Sequence, residues 1–211
     1  MKSIYELVTA AVVLFATASL AFSSGSISEV AYRLKSDPPS WFPSGTICPA
    51  DVIPRKQVKV RYLGERCVQS PIACLKLCEA SDANACYALA LAIETVDNRA
   101  GSESLFLRAC ELGVVSGCTN RAAGMMRENF EKRLENFEEH FACPMRTFEK
   151  SCELRDPWGC TMKGLLLSRP KYAGKDIARA KKALFDSCRI DAEDEACKYA
   201  QAILRKIEGN E

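Results

Sequence analysis

Leu105-Phe106-Leu107-Arg108-Ala109-Cys110-Glu111-Leu112-Gly113-Val114-Val115-Ser116-Gly117-Cys118 is the stretch whose reading decides the fold. An apolar run ends in a cysteine, a short connection follows, and a second cysteine comes directly after a small residue. The pattern occurs four times. Cys78/Cys86, Cys110/Cys118 and Cys152/Cys160 each enclose seven residues, and Cys188/Cys197 encloses eight. First members recur after 32, 42 and 36 residues. The flanks repeat as well: Ile72-Ala73-Cys74-Leu75-Lys76-Leu77-Cys78, Thr147-Phe148-Glu149-Lys150-Ser151-Cys152 and Leu184-Phe185-Asp186-Ser187-Cys188. A glutamate follows the first cysteine at Glu79, Glu111 and Glu153, and Ala85, Gly117, Gly159 or Ala196 precedes the second. Self-similarity at this period is the signature of stacked supersecondary units.

The segments on both sides of each pair read as helices. Ile177, Ala180, Ala183, Leu184 and Cys188 mark one helical face. Ala/Leu/Met-rich runs follow each second cysteine, from Tyr87 to Ile93, Ala122 to Met126, Met162 to Leu167 and Tyr199 to Leu204. Strand signals are nearly absent after residue 64. Each unit is therefore a helix-turn-helix, with one cysteine near the end of its first helix and the other at the start of its second. A short connection brings those two ends together, within the roughly 4.4–6.8 Å Cα separation a disulfide needs. A bridge over so short a loop stabilises by about 2.5 kcal/mol in the chain-entropy model. The expected fold is all-α: an α/α superhelical solenoid of disulfide-stapled helix-turn-helix repeats over residues 68–208.

Asp176-Ile177-Ala178-Arg179-Ala180-Lys181-Lys182-Ala183-Leu184-Phe185-Asp186-Ser187-Cys188, together with the paired cysteines and the small residue before each second one, resembles the Sel-one-like repeat family. This is a tetratricopeptide-like family, and the likeness is to its secreted, cysteine-rich bacterial branch. It covers about two-thirds of the chain. The sequence departs from the family pattern in two ways. The glycine common in the inter-helix turn appears only at Gly113, and the Leu-Gly motif of the second helix is mostly missing. The resemblance implies a protein-interaction scaffold, adaptor or inhibitor. It also implies an alternative, because cysteine-rich members have been linked to penicillin binding and β-lactam hydrolysis.

Residues 1–21 read as a signal peptide. Lys2 precedes an uncharged run from Leu7 to Ala21, and Ser19-Leu20-Ala21 offers small residues for cleavage after Ala21. An uncleaved N-terminal anchor is the competing reading, although the run is shorter than the roughly 20 residues of a membrane span. The expected address is periplasmic or secreted, where twelve cysteines would pair rather than stay reduced. Residues 22–67 form a proline-rich N-terminal arm. Pro38, Pro39, Pro43, Pro49 and Pro54 exclude a continuous helix, and the segment reads as extended, with Trp41 and Phe42 packing on the first hairpin. Val58, Val60 and Tyr62 alternate like a short strand; a frayed helix before Gly64 is the other option.

Cys48, Cys67, Cys74 and Cys143 lie outside the four pairs and allow three connectivities. Cys74 occupies the position of Phe106, Phe148 and Leu184, so it should point inward, and a bridge between the arm and the first repeat is favoured. Phe130, Leu134, Phe137 and Phe141 form a helical stripe in the long 42-residue spacing, with Glu128/Lys132 as a supporting pair. The stripe reads as an elongated second helix or an inserted covering helix, alternatively as a partner-binding helix.

Site chemistry is sparse. The net charge is +2, from 29 basic and 27 acidic residues that are interspersed, so nothing marks a nucleic-acid or anionic-membrane surface. No Cys-x-x-Cys occurs and His140 is the only histidine, so no metal, cofactor or His-based catalysis is expected. Ser168 and Lys171 form one Ser-x-x-Lys, but the Ser-Asp-Asn and Lys-Thr-Gly partners are missing. The chain is expected to be a monomeric, non-enzymatic binder of another protein or peptide. Tyr87, Trp158, Tyr172 and Tyr199 are the candidate aromatic anchors. For each of them, burial between repeats is the competing reading. Trp158, beside Gly159 at a turn, is expected to be the most exposed.

Overall fold

A computed structural model describes residues 25–61, 63–96, 99–131, 137–170, 172 and 174–209, with the backbone alone for 99, 100, 129–131, 137 and 138. The expected signal segment, Tyr62, Lys132, Leu134 and Lys171 lie outside these residues, as do the side chains of Phe130 and Phe137. Among the described residues all regular structure is helical. An N-terminal region carries α1 (Ile27–Ser36), α2 (Pro49–Val52) and α3 (Gly64–Gln69). Four hairpins follow: α4 (Pro71–Glu79) with α5 (Ala83–Glu94), α6 (Arg99–Glu111) with α7 (Val115–Glu131), α8 (Phe137–Glu153) with α9 (Pro157–Ser168), and α10 (Ile177–Ile190) with α11 (Glu195–Glu208). Each hairpin helix, α4 to α11, packs chiefly on its neighbours in sequence, and successive second helices such as α9 and α11 also touch. That is the contact pattern of an α/α solenoid.

The cysteine pairs staple the hairpins. Cα separations are 4.6 Å for Cys78–Cys86, 4.7 Å for Cys110–Cys118, and 4.5 Å for both Cys152–Cys160 and Cys188–Cys197. The turns inside them share a device. Ser81, Gly113 and Arg155 each follow the first cysteine by three residues, and each has positive φ, at 69°, 104° and 64°. The next N–H then reaches back to the last turn of the first helix: Asp82 to Leu77 O, Val114 to Ala109 O and Asp156 to Ser151 O. This is a Schellman-type ending. The fourth unit has one more residue between its cysteines, and Asp191 there is extended (φ −152°). The extra residue makes the left-handed turn unnecessary.

The small residue before each second cysteine has a steric cause. A Cβ at Gly117 would sit 2.8 Å from Phe106 O, and one at Gly159 would sit 2.6 Å from Ser151 Cβ. The second helix therefore starts almost in backbone contact with the end of the first. Phe106, Phe148 and Leu184 are fully buried at equivalent positions, and Cys74 is 1% exposed. The long spacing between the second and third units is taken up by lengthened helices on both sides, α7 and α8, at 17 residues each. Phe141 from the aromatic stripe is buried among Met126, Met145 and Phe148.

The N-terminal arm differs from an extended strap. Residues 27–36 precede the first proline, begin at a Ser26 cap and bury Val30, Ala31 and Leu34, so they form α1. Trp41 and Phe42 pack against the cluster of the first hairpin, as the sequence suggested. Residues 57–61 are neither strand nor helix. Val58 N–H donates to Gly113 O, while buried Asn84 donates from Nδ2 to Lys59 O and accepts at Oδ1 from Arg61 N–H. One side-chain amide thus supplies the pairing a neighbouring strand would give. Cys67 joins Cys74 across the break between α3 and α4, at the border of the arm and the first repeat. Cys48 bypasses the first repeat and joins Cys143 on α8.

Candidate binding face

A groove of about 670 Å³ lies between α9 and α11. Leu165 from α9 and Ala202, Ile203 and Ile207 from α11 give it an apolar lining, with Pro170 and Ile177 at the connection to α10. Arg169, Lys175 and Lys206 add three cationic side chains, and among the described residues no carboxylate lines it. Such a lining favours a ligand that is apolar in its middle and negative at its edge.

The four candidate aromatics separate clearly. Tyr199 is the exposed one, at 45%, and it lines the groove. Trp158 is half-buried, not the most exposed, because its ring leans on Tyr199 at a centroid distance of 6.0 Å. The pair joins the starts of α9 and α11 into one aromatic ledge. Tyr172 is half-buried against the Phe141–Phe148 core, and Tyr87 packs on Phe106 with ring centroids 5.9 Å apart. The Tyr87 hydroxyl accepts from Asn120 Nδ2 at 3.4 Å. Burial first, and the nearby Asp156 carboxylate second, push its pKa up to about 12. Tyr87 is therefore packed between repeats. Ser168 lines the groove, but its hydroxyl donates to Leu165 O at 2.8 Å. Its motif partner Lys171 lies outside the described residues.

Two buried carboxylates escaped sequence reading. Asp156 caps α9 by accepting from Gly159 N–H at 3.2 Å. It also accepts from Ser116 Oγ at 3.1 Å and from Thr119 Oγ1, so it ties the start of α7 to the start of α9. Burial raises its pKa, and those hydrogen bonds oppose the rise. Asp82 and Asp194 cap α5 and α11 at the corresponding place. An aspartate three or four residues before the second cysteine was the available signal. Glu103 is the second. It is 7% exposed, on α6, and faces Arg121 at 3.0 Å and Arg127 at 3.3 Å on α7. Burial drives its pKa up to about 7 against the pull of both arginines. Asp156 joins the second unit to the third, Glu103 joins the two helices of the second, and neither lines the groove.

Among the described residues no cluster of three or more His, Cys, Asp or Glu side chains could hold a metal ion, and no helix is long and apolar enough to cross a membrane. All twelve cysteines are paired, which fits an oxidising compartment. Comparison with protein-family models, curated proteins and solved structures finds no match.

Proposed function

We propose that this chain is an exported Sel-one-like repeat protein that acts as a scaffold, adaptor or inhibitor by gripping a segment of another protein. The observation that carries the reading is the groove between α9 and α11, with exposed Tyr199 at its edge, an apolar lining and three cations. Six disulfides support the export reading, since such bonds persist outside the cytosol. The test is display of short random peptides against the oxidised protein. Enriched peptides should combine apolar and acidic residues. Ala202→Arg, which fills the groove, and Lys175→Glu should each weaken their binding at least tenfold while helicity is kept. No enrichment, or binding indifferent to both substitutions, removes the reading.

β-Lactam hydrolysis is the competing reading, and Ser168 on the groove lining is the observation that favours it. Nitrocefin turnover abolished by Ser168→Ala would establish it. Absence of turnover by the refolded wild-type chain rejects it.

A further inference from the structure

Residues 45–53 cross the array over residues other than those that line the groove. Helix α2 within this segment touches α6, α7 and α8. Side chains of the array bind the segment largely through its main chain. Arg121 Nη2 donates to Gly45 O at 2.9 Å, Lys150 Nζ donates to Ala50 O at 2.8 Å, and Ala50 N–H donates to Thr147 Oγ1 at 3.2 Å. Asp51 meets Arg146 at 2.9 Å, and Ile53 packs on the Cys110–Cys118 staple. Main-chain recognition is tolerant of sequence: it asks for exposed carbonyls and an N–H, a small residue at the position of Ala50 and an acid after it.

One covalent bond holds this segment, Cys48–Cys143. It is the only one of the six disulfides in which neither cysteine is buried; every other bridge contains at least one cysteine exposed by 1% or less. Thiol–disulfide exchange requires a thiolate to reach a sulfur; Cys152 and Cys188 give two other bridges one part-exposed cysteine each, and this bridge alone has two. Its ends are 95 residues apart, against seven to nine for the rest. A local staple inside a packed hairpin recloses readily. This one recloses only while the arm stays docked.

We propose that the face formed by α7 and α8 is a peptide-binding surface kept occupied in cis by residues 45–53, and that a dithiol opens it to a like segment of another protein, with a small residue followed by an acid, by reducing Cys48–Cys143. In the exchange a reductant thiolate attacks one sulfur, the S–S bond breaks, and the other cysteine leaves as a thiolate that takes a proton from water. The reductant's second thiol then loses its proton and displaces the first cysteine. Two electrons pass to the protein, which ends with two thiols, while the dithiol ends as a disulfide.

The test uses the full chain with dithiothreitol as the reductant and alkylation read by peptide mapping. Cys48 and Cys143 should be labelled at least tenfold faster than any other pair. A fluorescent peptide spanning Ser44 to Pro54, with Cys48→Ser, should then bind the Cys48→Ser/Cys143→Ser chain at least tenfold more tightly than wild type. Adding Thr147→Val and Lys150→Met should abolish that binding. If the double variant loses helicity, the peptide is offered instead to wild-type protein reduced and alkylated at those two cysteines alone. Earlier labelling of another pair, or equal binding to the open and closed forms, overturns the proposal.

Discussion

The Glu103 carboxylate fills the space in which a side chain at residue 124 would begin. Gly124 on α7 leaves α6 room to deliver a buried acid to Arg121 and Arg127. Two effects compete at this position. Helix propensity favours Gly124→Ala by about 1 kcal/mol. A methyl group there pushes the carboxylate off Arg121, and breaking a buried pair costs roughly 3–5 kcal/mol. The second effect is the larger, so Gly124→Ala should destabilise by about 2 kcal/mol or more in urea unfolding. A stabilised variant would show that the carboxylate moves aside freely.

Glu103 also makes a pH prediction. Its pKa is about 7 folded, against an ordinary 4.5. Between those values the folded chain holds a proton that the unfolded chain has released. The contribution is therefore complete below pH 4.5 and is lost as pH rises towards 7. Its ceiling is on the order of 3 kcal/mol. The stability difference between wild type and Glu103→Gln should shift against wild type across this window and level off above it. Denaturant midpoints at stepped pH measure the difference. A flat difference would mean that the two arginines keep Glu103 ionised throughout.

Close helix approach predicts a contrast between glycines. A Cβ at Gly159 would meet Ser151 Cβ at 2.6 Å and Cys152 N at 2.9 Å, whereas one at Gly45 meets nothing within 4 Å. Gly159→Ala should cost about 1–3 kcal/mol, the usual range for overpacking. Gly45→Ala should stay within about 0.5 kcal/mol. Thermal unfolding of the two variants side by side checks this, and equal midpoints would contradict it.

The hairpins were legible because their determinants are local. The cysteine spacing, the small residue before Cys118 or Cys160 and the buried positions of Phe106, Phe148 and Leu184 all lie within one helix-turn-helix. The partner of Cys48 was not, because a 95-residue contact depends on how three units stack. Proline counting hid α1, since all five prolines of the arm lie after Ser36. The Asn84 clasp on Lys59 and Arg61 replaces strand pairing with a side chain, which alternation of Val58 and Val60 cannot reveal. At the groove, Tyr199 is one of the four aromatics that the sequence singled out. Its exposure relative to Trp158 was not legible, because each ring is covered by the other across two helices.

The shared left-handed turn gives a prediction of opposite signs at equivalent positions. Ser81, Gly113 and Arg155 all adopt positive φ, a conformation that costs a residue with a Cβ roughly 1–2 kcal/mol. Gly113 meets that demand without strain. It also lies close under the arm, where a Cβ would stand 2.9 Å from Lys56 O, and its carbonyl receives Val58 N–H. Gly113→Ala therefore adds backbone strain and a clash, and should lose at least about 2 kcal/mol. Arg155 is exposed, so its replacement removes little packing. Arg155→Gly releases the strain, while the added freedom of the unfolded chain takes back about half of the gain. The net expectation is stabilisation of up to about 1 kcal/mol, read as a higher urea midpoint with an unchanged slope. A lower midpoint for Arg155→Gly would show that the arginine side chain, and not the turn geometry, sets the stability of that hairpin.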